Sequence, residues 1–225
     1  AGSAAQLERW ARAMGDVLAH RGPDDHGVWS HAEAGVALAH RRLSIVDLSP
    51  AGHQPMTSAN GRFVVSYNGE VYNHLTLRSE LEARGVQFRG HSDTEVMLEA
   101  FAAFGIEATV KRLIGMFTIA LWDQRERSLT LIRDRLGIKP VYWAKFGGLF
   151  LFGSELKALR AHPGWQPRIN RSAVASFMRH SYVPAPHSIY EGVFKLEPGS
   201  ILTLPYGGEP AITRYWDARS IASAG

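Results

Sequence analysis

The sequence has 225 residues, 45% of them hydrophobic, with a net charge of +4 and no cysteine. This is enough chain for one globular domain with a buried core. It contains no run near the ~20 apolar residues of a membrane span and no signal-peptide pattern, so the chain reads as soluble and cytoplasmic. The scattered basic residues form no phosphate-tracking face, which argues against nucleic acid, and without cysteine there is no disulfide, thiolate metal site or thiol nucleophile within the chain.

Leu7, Trp10, Ala11, Met14, Val17 and Leu18 recur at helical spacing among charged residues, which predicts an amphipathic helix ended by Gly22-Pro23 and lying on a sheet. Short apolar runs predict strands at 35–38, 63–67, 117–122, 129–132, 141–143, 149–152 and 201–204. Helices are expected at about 75–84, 93–104, 107–113, 154–161 and 171–180, the second opened by a capping box, Ser92-Asp93-Thr94-Glu95. The strands from 117 to 152 follow one another with no helix between them. They therefore suggest antiparallel meanders covered by helices, an α+β fold. After Tyr206-Gly207-Gly208 the composition loosens, so residues 1–217 read as the domain and 218–225 as the start of a linker.

Four segments place charged or amide groups beside glycine or a strand end. In His40 to Leu48, charged residues flank a short apolar run; an arginine held there could grip a carboxylate through two parallel hydrogen bonds, or simply sit on the surface. Asn68-Gly69, after an apolar run, is the usual signal of a hairpin turn. The same pair could instead offer a side-chain amide and a backbone N–H to an oxyanion, with Glu70 nearby for a cationic group. Asp93 suits the first turn of a helix without any ligand. Arg133 to Pro140 reads equally as a salt-bridged turn or as a packing surface near a site.

Other chemistries find no support. Ser154-Glu155-Leu156-Lys157 fits a Ser-x-x-Lys pattern but lacks the companion motifs of penicillin-recognising enzymes, and it reads as a helix start. The ten histidines form no metal-ligand spacing, and no phosphate loop occurs. No metal or cofactor is expected within this chain.

Taken together, Arg21 to Asp24, Arg42 to Asp47, Asn68 to Asn73, Ser92 to Glu95 and Arg133 to Pro140 are similar, in order and spacing, to the amino-terminal domain of glutamine-dependent asparagine synthetases. Phe152 to Leu159 and Lys195 to Gly199 extend the resemblance over about residues 15–217. It implies the amino-terminal-nucleophile hydrolase fold, a four-layer αββα sandwich of two antiparallel sheets. It also implies roles: Arg42 for the glutamine α-carboxylate, Glu70 and Asp93 for the α-ammonium, Asn68 and Gly69 for the oxyanion hole, and the backbone of Leu43, Ser44, Ile45 and Val46 as pocket wall. In such enzymes an amino-terminal cysteine attacks glutamine with the chain's own α-amine as base. Ammonia then passes to a carboxy-terminal synthetase domain that uses ATP and magnesium.

The sequence departs from that pattern in starting at Ala1-Gly2-Ser3, without a Met-Cys-Gly start, and in ending before any synthetase domain. The expectation is a glutaminase domain from a longer enzyme, inactive by itself. The alternatives are a non-catalytic glutamine-binding or partner-docking module, and an amidotransferase for another carboxylate acceptor. A homodimer is compatible with the sequence but not fixed by it.

Overall fold

A computed structural model describes residues 3–45, 47–166 and 168–223. The first helix, α1 (Ala4–Asp16), is capped by the Ser3 side chain, which accepts from the Gln6 N–H. Strands β1 (Asp25–His31) and β2 (Val36–Arg42) form a two-stranded antiparallel ladder. After β3 (Met56–Thr57) come β4 (Phe63–Val71), β5 (Gly115–Asp123) and β6 (Ser128–Arg133), the core of a six-stranded sheet completed by β10 (Ser200–Pro205) and β11 (Ala211–Arg214). Its strand order is β11-β10-β6-β5-β4-β3, antiparallel throughout. β7 (Tyr142–Phe146), β8 (Leu149–Gly153) and β9 (Val193–Lys195) form a third ladder, β8-β7-β9.

Four layers result. Helices α2 (His74–Ala83), α3 (Asp93–Phe104) and α4 (Ile106–Arg112) cover one face of the six-stranded sheet. There Leu77, Leu81, Met97 and Phe101 meet Phe63, Val65, Phe117 and Ile119. The period of two along β4 and β5 turns Val64, Ala120 and Trp122 to the other face, against Leu38, Val141 and Leu196. Outermost lie α1 and α5 (Leu156–Arg160), with Met14, Leu18 and Leu159 packed on Ala144 and Leu151. α6 (Arg171–His180) and α7 (Ala218–Ser223) complete the chain, and no helix is long and apolar enough to cross a membrane.

The layer facing the six-stranded sheet consists of two ladders, β1-β2 and β8-β7-β9, among the described residues. Two expectations are corrected. Asn68-Gly69 is no hairpin turn: β4 continues through it, with Asn68 opposite Thr118 and Gly69 opposite Phe117, because its partner β5 follows only after three intervening helices. The capping box is only half formed. Ser92 Oγ accepts from the Glu95 N–H at 3.2 Å, but the Glu95 carboxylate accepts from the N–H groups of Arg89 and Gly90 instead of reaching back to Ser92. The stretch read as the start of a linker carries the exposed turn and a half of α7.

Candidate active site

β4 carries the pocket floor. Its alternation sends Tyr67 towards α3 and Asn68 towards the second layer, and Gly69 follows because β4 and β5 approach closely there. A Cβ on Gly69 would collide with the Met116 carbonyl oxygen and lie 2.7 Å from Phe117 Cα. Asn68 Nδ2 is buried and has no hydrogen-bond partner. An unpaired buried donor is costly, so its position in a cavity wall marks it as a group for a ligand.

The cavity beside it has a volume of about 380 Å³, within the usual range for small-molecule sites. Arg42, Leu43, Ile45, Asn68, Gly69, Glu70 and Asp93 all line it. Ser44 does not; its N–H is held by Asp24 Oδ2 at 2.8 Å, which ties down the loop after β2. Val46 lies outside the described residues. The Arg42 guanidinium is fixed by the carbonyl oxygens of Asp47 and of Ser49, the latter at 3.2 Å. Asp47 in turn accepts from the N–H groups of Ser49 and His91, at 2.8 and 3.0 Å. A hydrogen bond from the Ser49 side chain, then those from the two N–H groups and the charge of Arg42, hold its carboxyl down at about 2.

Asp93 stands at the first turn of α3, almost fully buried. Its Oδ2 is occupied by the Tyr67 hydroxyl at 2.7 Å and the Val71 N–H at 2.9 Å, which leaves Oδ1 for the cavity. Burial, and then the Asp93 charge, push the Tyr67 phenol far above its ordinary range, so it remains a donor. Glu70 has no ion-pair partner among the described residues. The pocket thus collects a fixed cation, two carboxylates and an unpaired amide in one cavity wall.

Other lining residues carried no recognisable signal in the sequence. Gln54 Oε1 accepts from the Tyr67 N–H at 2.7 Å across the sheet edge, a pairing no local pattern announces. His40 is kept neutral: burial, and then the Arg42 charge, lower its pKa to about 4. Lys139 reaches the cavity from the loop after β6. That loop is not a salt-bridged turn. Asp134, fully buried, accepts from the N–H groups of Phe117, Leu136, Ile138 and Lys139, while the Arg133 guanidinium donates to the carbonyls of Gly137, Lys139 and Leu196. Lys157 Nζ lies 3.1 Å from Glu155, and no hydrogen bond joins it to Ser154.

Asn68 is also shared with a second cavity, of about 170 Å³, between the two ladders of the second layer. β2 pairs only with β1 and β8 only with β7, so each has one strand edge unpaired among the described residues. Ala37, Ala39 and Arg41 form one wall of this slot and Phe150 to Gly153 the other. Small residues, Ser66, Thr118 and Ala120, make its floor, and Ala11 and Met14 of α1, with Leu18 just past it, form the roof. Both flanking strands run towards the polar pocket: β2 ends at Arg42, and β8 ends beside Glu155, which binds Arg21 at 3.0 Å. Arg21, His40, Arg41 and Asn68 line both cavities.

The glutamine amidotransferase domain family matches residues 1–216, nearly the whole of the described chain. The chain belongs to that family. It is 41% identical over 210 residues to asparagine synthetase (glutamine-hydrolysing) 3 of Bacillus subtilis strain 168, covering 92% of this chain and 33% of that protein. It is 35% identical over 214 residues to asparagine synthetase (glutamine-hydrolysing) 1 of the same organism, covering 95% and 33%. The chain therefore spans about a third of the length of these curated relatives. Among solved structures, glutamine phosphoribosylpyrophosphate amidotransferase from B. subtilis superimposes with a TM-score of 0.66 at 19% identity, over 95% of this chain and 47% of that one. The glutamine amidotransferase domain thus has the amino-terminal-nucleophile hydrolase fold, an α+β sandwich of antiparallel sheets.

Proposed function

We propose that this amidotransferase domain is the glutaminase part of a longer asparagine synthetase, in which Arg42 binds the α-carboxylate of glutamine and Glu70 and Asp93 its α-ammonium. Asn68 Nδ2 and the Gly69 N–H then receive the oxyanion formed at the side-chain carbonyl. The observation that carries this reading is the unpaired Asn68 amide at the junction of the charged pocket and the slot. Leu43 and Ile45, on the loop after β2, wall the glutamine pocket.

The chain has no thiol, so the nucleophile must come from elsewhere. A strand laid into the slot antiparallel to both β2 and β8 would run outward from the pocket and place its first residue beside Asn68. Ala37 to Arg41 span five residues, room for a strand of about 17 Å. If that first residue is a cysteine, its free α-amine takes the thiol proton as sulfur attacks the amide carbon, then passes it to the departing nitrogen, releasing ammonia. Water cleaves the thioester to glutamate and restores the thiol.

The hand-over of ammonia is supported by exposed apolar side chains at the pocket. Leu43 and Ile45 line it and are exposed, and Leu48 follows, exposed, on the same loop. Neutral ammonia crosses such a surface more readily than ammonium does. We assign ATP, magnesium and the aspartate acceptor to the downstream part of the longer protein, and the whole to the cytoplasm.

The test is to fuse a Cys-Gly-led strand to residue 1 and follow glutamate release from glutamine. We expect none from the chain as given and turnover after fusion, reduced about 10²- to 10³-fold in kcat by Asn68→Ala. Arg42→Ala should weaken glutamine binding by about 3–5 kcal/mol in calorimetry, since it leaves a carboxylate unpaired. A fused chain that binds glutamine without releasing glutamate would favour a non-catalytic glutamine-binding module.

A further inference from the structure

α6 stands off the body of the domain. Of its ten residues only Ala173 is buried, while Val174, Phe177 and Met178 are exposed, Phe177 by 49% and Met178 by 78%. These three fall at i, i+3 and i+4, one stripe of the helix, and Ile169 and Tyr182, both exposed, extend it at either end. A helix this short has little stability from propensity alone. It is held by its ends: Asn170 Oδ1 accepts from the Ala173 N–H at 3.1 Å, and the Ser181 N–H donates to Phe177 O at 2.7 Å.

The surroundings of the stripe are basic. Between residues 165 and 190 the sequence holds Arg168, Arg171 and Arg179 and no aspartate or glutamate. The placement is equally specific. Just past α6, the Val183 carbonyl accepts from Lys195, which pairs with Tyr142, and the neighbouring Leu196 carbonyl accepts from Arg133. The end of the domain is tied to the same strand ends: the Tyr215 N–H donates to Gly199 O at 2.8 Å and its hydroxyl to Arg133 O at 3.0 Å. The segment leading into α7 is therefore anchored beside Arg133, whose guanidinium also reaches the carbonyl next to Lys195.

We propose that the Val174–Phe177–Met178 stripe is a docking element for the downstream part of the longer protein, set into an apolar groove with an acidic rim. The relatives' length supports that occupant, because about two thirds of their chain lies beyond the part this domain matches. So do the anchored segment beside Arg133 and the one-sided charge. The proposal rests on the reading of the domain as part of a longer synthetase.

Hydrogen exchange of α6 tests it, comparing this chain with the longer protein that carries it. We expect the α6 amides to exchange at least about tenfold more slowly in the longer protein. Phe177→Asp with Met178→Asp should return them to the rate of the isolated domain, with Arg179→Glu giving a partial return. Because these side chains are exposed and remote from the pocket, glutamate release should persist in every variant. Equal exchange in the two proteins would overturn the proposal, as would protection that fades on dilution, which would assign the stripe to a second copy of the chain. Failure of the glutaminase reading would show separately, as absent glutamate release from the longer protein, whatever α6 does.

Discussion

The two inner layers of this domain are built by the same pairing rules and end differently. The six-stranded sheet is continuous, with every neighbour joined antiparallel, while the layer facing it is split into ladders of two and three strands around an apolar slot. The continuous sheet supplies rigidity and the split layer supplies the opening. The proposed oxyanion site lies at their seam, where Asn68 belongs to the first and lines the slot in the second.

If that contrast is right, damage to the continuous sheet should be expensive and damage to the slot walls cheap. The largest effect is expected at Asp134, whose carboxylate ties the end of β6 to β5 and to the following loop. Asp134→Ala strands four N–H groups and should lower unfolding free energy by about 3–5 kcal/mol in urea titration. Gly69→Ala should cost about 1–3 kcal/mol by pushing β4 from β5, together with loss of glutamine binding. Ser92→Ala removes the cap of α3 and should cost about 1 kcal/mol. At the slot, Ala37→Leu should change stability by no more than about 0.5 kcal/mol yet block addition of a strand. A loss of several kcal/mol from that change would mean the slot is already packed, and the comparison would fail.

Acid titration sharpens the same seam. His40 is held neutral in the folded chain, with its pKa lowered from 6.5 to about 4. The unfolded chain therefore binds this proton first as pH falls. The contribution of His40 is fully present above about pH 6.5 and is lost as pH drops towards 4. Melting temperatures of the parent chain and of His40→Gln, measured from pH 7 to 4, should diverge across that window. Parallel curves would show that the ring is not kept neutral.

Much of the secondary structure was legible because it rests on local patterns. The helices at 93–104 and 171–180 match their expected bounds, and the seven strand cores fall within observed strands, save that Gly35 and Val141 lie one residue outside theirs. The strands that were not foreseen, β1, β3, β9 and β11, are short or carry polar and glycine residues, and only their partners make them strands. Asn68-Gly69 shows the limit of local rules. Its turn signal is genuine for an isolated peptide, and it is overridden by nine residues of pairing with β5.

The candidate site divides in the same way. Sequence alone determined which groups were available: the charged residues at the end of β2, the amide and glycine of β4, the acid opening α3, and the lack of any thiol. Tertiary structure decided which of them meet. It brought Arg42, Asn68, Glu70 and Asp93 to one cavity, turned Ser44 away to Asp24, recruited Gln54 and His40, and left a slot ending at an unpaired amide. A sequence pattern fixes the face on which a side chain emerges, but the distance between two such faces is set by how sheets and loops pack, and only that distance makes a site.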